Sequence, residues 1–105
     1  MYLELYKNLN VYSLSEHNLI ATFKLGSFCN AGIIADNLLF LSTYHKLLVF
    51  KVTTSLTHPL IKVGSIDTKA TALRILRMGN ELMLGEFDGY LEVFNIYTSE
   101  ITHTH

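Results

Sequence analysis

Three short stretches of one pattern constrain this chain more than anything else in it. Leu9-Asn10-Val11-Tyr12-Ser13-Leu14, Leu47-Leu48-Val49-Phe50-Lys51-Val52 and Leu91-Glu92-Val93-Phe94-Asn95-Ile96 each read apolar, variable, Val, aromatic, polar, apolar. Val11 and Val49 lie 38 residues apart, and Val49 and Val93 lie 44 apart. The likeness extends to both sides. Leu38-Leu39-Phe40 lies over Leu82-Met83-Leu84, Tyr2-Leu3 falls over Phe40-Leu41, and Ala21-Thr22-Phe23-Lys24-Leu25 overlays Pro59-Leu60-Ile61-Lys62-Val63. A period of about 40 residues built from short β-prone segments means copies of one unit, each covering its neighbour's apolar face.

Each complete copy reads as four strands. In the middle copy these are 29–35, 38–43, 47–52 and 60–63; in the last they are 71–77, 82–87, 90–96 and 100–102. The first copy starts at its second strand, with strands 2–6, 10–14 and 19–25. Asp36-Asn37, Gly79-Asn80 and Asp88-Gly89 supply residues that tolerate positive φ at the turns. Pro59 opens an outermost strand, where a missing N–H does least harm. Runs such as LLFL, LLVF and ELML are apolar without alternation, which marks strands buried on both faces. Residues 70–78 fit a helical period about as well as a strand period, but the repeat requires an inner strand there. The expected fold is all-β: propeller-type repeats of four-stranded antiparallel sheets, about two and a half blades, in an incomplete ring. The single segment 1–105 divides into a partial blade over 1–25 and blades over 28–63 and 70–105. Both terminal blade faces are then expected to be apolar and uncovered. A chain cut inside a blade of a longer protein accounts for the start at a second strand.

Composition narrows the function. Half the residues are hydrophobic and 16% are charged, with 8 basic against 9 acidic side chains. No Lys/Arg stripe is present to displace counterions from phosphates, so nucleic acid is not an expected partner. No apolar run is long enough for a membrane helix, and no secretory leader opens the chain, since Glu4 falls where one would be cationic and then apolar. Cys29 stands alone, so an internal disulfide is excluded and a reducing, cytoplasmic setting is expected.

Asp88-Gly89-Tyr90-Leu91-Glu92-Val93-Phe94 resembles the signature of WD-repeat propellers, in which a turn Asp precedes an apolar residue and a Trp by five and six positions. Phe94, Phe50 and Tyr12 stand at the Trp place, and Asn95, Lys51 and Ser13 replace the Asp of the dipeptide. Tyr44 and Tyr6 take the place of Asp88 in the other copies, Gly64 is followed by Ser65 where members often carry Gly-His, and the chain has no Trp. The resemblance implies a non-enzymatic protein-interaction scaffold without cofactor. Partners would be other proteins, further copies of this chain, or the remaining blades of a longer one.

The chemistry-bearing residues form no catalytic set. There is no Gly-x-Ser-x-Gly elbow and no Gly-rich phosphate cradle. Glu81, Glu86, Asp88 and Glu92 read as solvated strand and turn carboxylates, with Lys69, Arg74 and Arg77 as their salt-bridge partners. His103 and His105, with His58, would carry a metal-binding alternative, because alternate strand residues share a face. A third alternative is a structural protein whose copies close a ring. The surface expected to matter is the rim of inter-strand turns and inter-blade linkers: Tyr44, His45, Lys46, Asp67, Lys69 and Phe87, an aromatic and charged composition that interfaces favour.

Overall fold

Eleven strands form three successive antiparallel sheets in a computed structural model that describes residues 2–97 and 100–104. The first sheet holds β1 (Tyr2–Leu5), β2 (Asn8–Tyr12) and β3 (Leu19–Lys24). The second holds β4 (Ala31–Ala35), β5 (Leu38–Thr43), β6 (Lys46–Val52) and β7 (Leu60–Asp67). The third holds β8 (Ala72–Met78), β9 (Glu81–Glu86), β10 (Leu91–Asn95) and β11 (Glu100–Thr104). Within every sheet the spatial order is the chain order, an up-and-down meander. The fold is thus the all-β, blade-like arrangement of an open ring, and the ambiguous stretch after Ala70 is strand β8.

Turn chemistry fixes the hairpins. Asp36 and Gly79 each take positive φ, 56° and 61°, in two-residue loops that join the first and second strands of their sheets. Tyr44-His45 closes the β5–β6 hairpin with His45 at φ 55°, and Asp88 and Gly89 take 64° and 79° between β9 and β10. Gly, Asp and His are among the residue types enriched in these conformations, and they are the ones that stand here.

Register corrects the overlay of the second strands by one residue. Phe40 lies opposite Val49, Met83 opposite Val93, and Leu3 opposite Val11. Phe40 is therefore the counterpart of Met83 and Leu3, not of Leu84 and Tyr2. The turns leading to the third strand differ in length among the copies, and a one-residue shift moves a side chain to the other face. β7 also runs past its expected end at Val63, because Leu47 and Lys46 continue the ladder to Ile66 and Asp67 beyond a bulge at Val49/Phe50.

Two apolar layers hold the stack together. Between the first and second sheets pack Leu9, Val11, Leu25, Leu39, Leu41, Leu48, Phe50 and Leu60, with Phe23 edge-on to Phe50 at 5.1 Å. Between the second and third pack Phe40, Leu47, Val49, Ala72, Ile75, Leu82, Leu84, Phe94 and Ile96, with Phe40 edge-on to Phe94 at 5.8 Å. The middle sheet contributes to both, which is why β5 and β6 are apolar without alternation. Phe50 and Phe94 point backward, toward the preceding sheet, while Val11 and Val49 point forward.

The two end faces are not alike, which corrects the expectation that both are apolar. The backward face of the first sheet is polar. Asn10 Nδ2 donates to Glu4 Oε1 at 3.0 Å, Thr22 Oγ1 donates to Asn10 Oδ1 at 3.0 Å, and the Tyr12 hydroxyl approaches the same Glu4 oxygen at 3.5 Å. The forward face of the third sheet carries an apolar patch: Leu76 and Met78 are about half exposed, beside half-buried Met83, Leu91 and Val93, with Arg74, Glu81 and Asn95 on the same face around them.

Candidate interaction surface

The linkers between sheets gather the strand turns onto one rim. Residues 25–30 run past the β1–β2 turn, where Leu25 N–H donates to Lys7 C=O at 3.1 Å and Cys29 N–H to Tyr6 C=O at 3.1 Å. The same linker reaches the next turn, with Ser27 Oγ accepting from Tyr44 N–H at 2.8 Å. Residues 68–71 repeat the arrangement one sheet on. Thr68 N–H donates to His45 C=O at 3.0 Å, Thr71 Oγ1 accepts from His45 N–H at 3.1 Å, and Thr71 C=O accepts from Phe87 N–H at 2.9 Å. Strand turns and linkers thus form one hydrogen-bonded edge across all three sheets.

Each sheet presents an aromatic and a cation on that edge. On the first, Tyr6 stacks edge-on with Phe28 at 4.9 Å and the Lys7 ammonium lies 5.0 Å from the Phe28 ring. On the second, the rings of Tyr44 and His45 lie 4.3 Å apart beside Lys46. On the third, Lys69 is 4.4 Å from the Tyr90 ring, with Phe87 next along the turn. Tyr6, Phe28, Tyr44 and Phe87 are all exposed, Tyr44 to 70%. Cation–π attraction at such exposed sites is worth about 0.5–1 kcal/mol, enough to order the lysines without burying them. A hollow of about 210 Å³ opens between the first and second groups, lined by Leu25, Gly26, Ser27, Thr43, Tyr44 and Lys46.

Tyr44, His45, Lys46, Asp67, Lys69 and Phe87 all lie on this edge. Asp67 closes β7 opposite Lys46 and is no linker residue. Tyr6, Lys7, Phe28 and Tyr90 are the members that sequence reasoning left out. A signal existed for Tyr6, which shares with Tyr44 the place of Asp88 in the repeat.

A second finding overturns the solvated assignment for two of the four acidic residues, while Asp88 is exposed in its turn. Glu86 and Glu92 are both 5% exposed. They lie diagonally on the backward face of the third sheet, beneath the linker: Glu92 Oε1 accepts Lys69 N–H at 2.6 Å and Glu86 Oε1 accepts Ala70 N–H at 3.1 Å. Burial first, then the hydrogen bond and charge of Glu92, push the Glu86 carboxyl up to about 8. A protonated Glu86 donating to a Glu92 carboxylate removes the like-charge repulsion. Covered by main chain, the pair fastens the linker. Lys69 is near enough to oppose the rise at Glu86, while Arg77 reaches Asp36 of the second sheet at 3.1 and 3.3 Å and lowers that carboxyl's pKa.

The other candidates separate. His58 Nδ1 lies 3.0 Å from Thr57 Oγ1 in the β6–β7 loop. The His103 side chain and His105 fall outside the described residues. Among the described residues no group of three or more His, Cys, Asp or Glu is placed to hold a metal ion. Cys29 is half buried against the first apolar layer; its thiol donates to Ala31 C=O at 3.4 Å, and desolvation raises its pKa. No described helix is long and apolar enough to cross a membrane.

No protein-family model and no curated protein matches this sequence. Solved structures do match in shape. BamB from Moraxella catarrhalis superposes with a TM-score of 0.74 at 11% identity, over 98% of this chain and 31% of that one. Sqt1 from Saccharomyces cerevisiae gives 0.74 at 10% identity, over 97% and 28%. The computationally designed Ika8 protein gives 0.74 at 16% identity, over 98% and 32%. BamB and Sqt1 are β-propeller proteins, so the likeness shows the fold. The chain spans about a third of the length of each.

Proposed function

We propose that this chain is a WD-repeat-like propeller segment that works as a non-enzymatic scaffold, binding protein partners along the aromatic rim. The observation that carries this is the recurrence, once per sheet, of an exposed aromatic on one continuous edge, with a lysine ammonium over a ring at the first and third sheets. Aromatic residues deliver large contact area at small entropic cost, and they dominate binding energy where they are enriched. The lysines and Asp67 would set orientation and rate of encounter more than affinity. The lone thiol suits a reducing compartment, which supports a cytoplasmic setting.

The test compares the two edges of the stack. Tyr44→Ser with Phe87→Ser alters only exposed rim side chains; Leu14→Ser with Leu56→Ser alters exposed loops at the opposite edge. Proximity labelling and pull-down should recover a common set of proteins with the unaltered chain and the loop variant. The rim variant should lose that set. Equal recovery by both variants, or loss by the loop variant alone, would overturn the assignment.

A further inference from the structure

The linker over residues 68–71 ties the rim turns of the second and third sheets to each other. Thr68 N–H and Thr71 Oγ1 hold both main-chain groups of His45, and Thr71 C=O holds Phe87 N–H. Carboxyls hold the linker from below. Its successive Lys69 and Ala70 N–H groups end on Glu92 Oε1 and Glu86 Oε1. Neutral ties complete the set: Thr68 Oγ1 donates to Ala70 C=O at 2.7 Å, and Ser42 Oγ to Ala72 C=O at 2.6 Å.

Two neighbouring carboxyls, each 5% exposed, cannot both carry charge without a large penalty. The remaining Glu86 oxygen, Oε2, is buried and accepts no hydrogen bond. Ionised, it would leave a charged oxygen dry and unsatisfied; protonated, it has Glu92 as its acceptor. The surroundings give little relief. Glu92 faces Glu86 from β10 and Lys69 faces it from the linker, but the Lys69 ammonium is turned onto the Tyr90 ring at 4.4 Å. His45 meets the linker through main-chain groups. Lifting the linker admits water to both carboxyls, which then ionise as ordinary glutamates do.

We propose that the Glu86–Glu92 pair is a proton-operated latch on the rim. With one proton between them the carboxyls hold linker 68–71 down, and with it the turns that carry Tyr44, His45 and Phe87. Loss of that proton frees the linker and loosens those turns, while the two apolar layers stay packed. The latch concerns the order of the rim itself, so it stands whether or not the rim binds protein.

Hydrogen exchange of the isotope-labelled full chain, followed from pH 5.5 to 8.5, is the test. Dividing each rate by its intrinsic rate removes the pH dependence of the exchange chemistry. The open linker binds fewer protons than the closed one, so protection falls as pH rises. At Lys69 and Ala70 the fall should reach about tenfold per pH unit between the unfolded value of 4.5 and the folded value of about 8, and level off above it. The His45, Thr68 and Phe87 amides should follow. In low urea these rates should hold, as they do for a local opening, while those of the β5–β6 ladder accelerate. Glu86→Gln, which donates to Glu92 without titrating, should flatten the pH dependence. In the unaltered chain the carbon-13 shift of the Glu86 carboxyl should titrate at about 8, a readout that holds even if the variant misfolds. The proposal is overturned by a Glu86 carboxyl that titrates in the ordinary range, by linker amides that exchange only together with the ladder, or by an equal fall in Glu86→Gln.

Discussion

Glu86 holds a proton at a pH where an ordinary carboxyl has lost it, because it is dry and faces a second carboxyl under a main-chain lid. Its folded value near 8 lies above the unfolded 4.5. Between those limits the folded chain binds a proton that the unfolded chain does not, so stability falls as pH rises, by at most about 1.4 kcal/mol per unit. The contribution is complete below the unfolded value and gone once pH passes the folded one. Urea midpoints at pH 5.5 and 8.5 check this. The unaltered chain should lose stability at the higher pH, whereas Glu86→Gln, which donates to Glu92 without titrating, should lose little. A parallel fall in both would place the titration elsewhere. Neither glutamate's burial was legible in the sequence: Glu86 and Glu92 stand on strands as many solvated carboxylates do, and only the linker crossing above them makes them interior.

The third strands carry the part of the fold that was legible. Valine followed by an aromatic in β2, β6 and β10 is a two-faced instruction: valine presses the next sheet, the aromatic presses the previous one. Phe50 and Phe94 obey it at full burial, but Tyr12 points from the first sheet onto its polar face. Equivalent places therefore differ in worth. Phe94→Ala should lower stability by about 3–5 kcal/mol, the range for a buried phenyl truncated in a core. Tyr12→Ala, at a half-buried place on the polar face, should cost less. Denaturant midpoints distinguish them, and equal losses would mean that the first sheet is covered in solution. The second strands were less legible. LLFL and ELML are apolar at every place, so neither face announces itself, and the one-residue offset between Phe40 and Met83 is set by turn lengths that composition does not encode.

At the scale of the whole stack, the unlike ends decide how copies can meet. In a head-to-tail ring of identical chains, Leu76, Met78 and Met83 would bury the Glu4–Asn10–Thr22 surface. Desolvating a carboxylate against apolar side chains is unfavourable even when its local hydrogen bonds survive. Face-to-face contact between two third sheets matches apolar with apolar and closes on itself, as two-fold interfaces do. The exposed patch should then drive association, since apolar patches of this kind seldom stay uncovered. Sedimentation velocity over a range of concentrations should show the unaltered chain associating, and Leu76→Lys with Met78→Lys remaining a monomer. Both side chains are half exposed, so melting should shift little, within about 0.5 kcal/mol per site. Asn10→Lys, on the opposite end, should leave association unchanged. If it abolishes association while the Leu76 and Met78 changes do not, the polar end is the interface and head-to-tail closure returns.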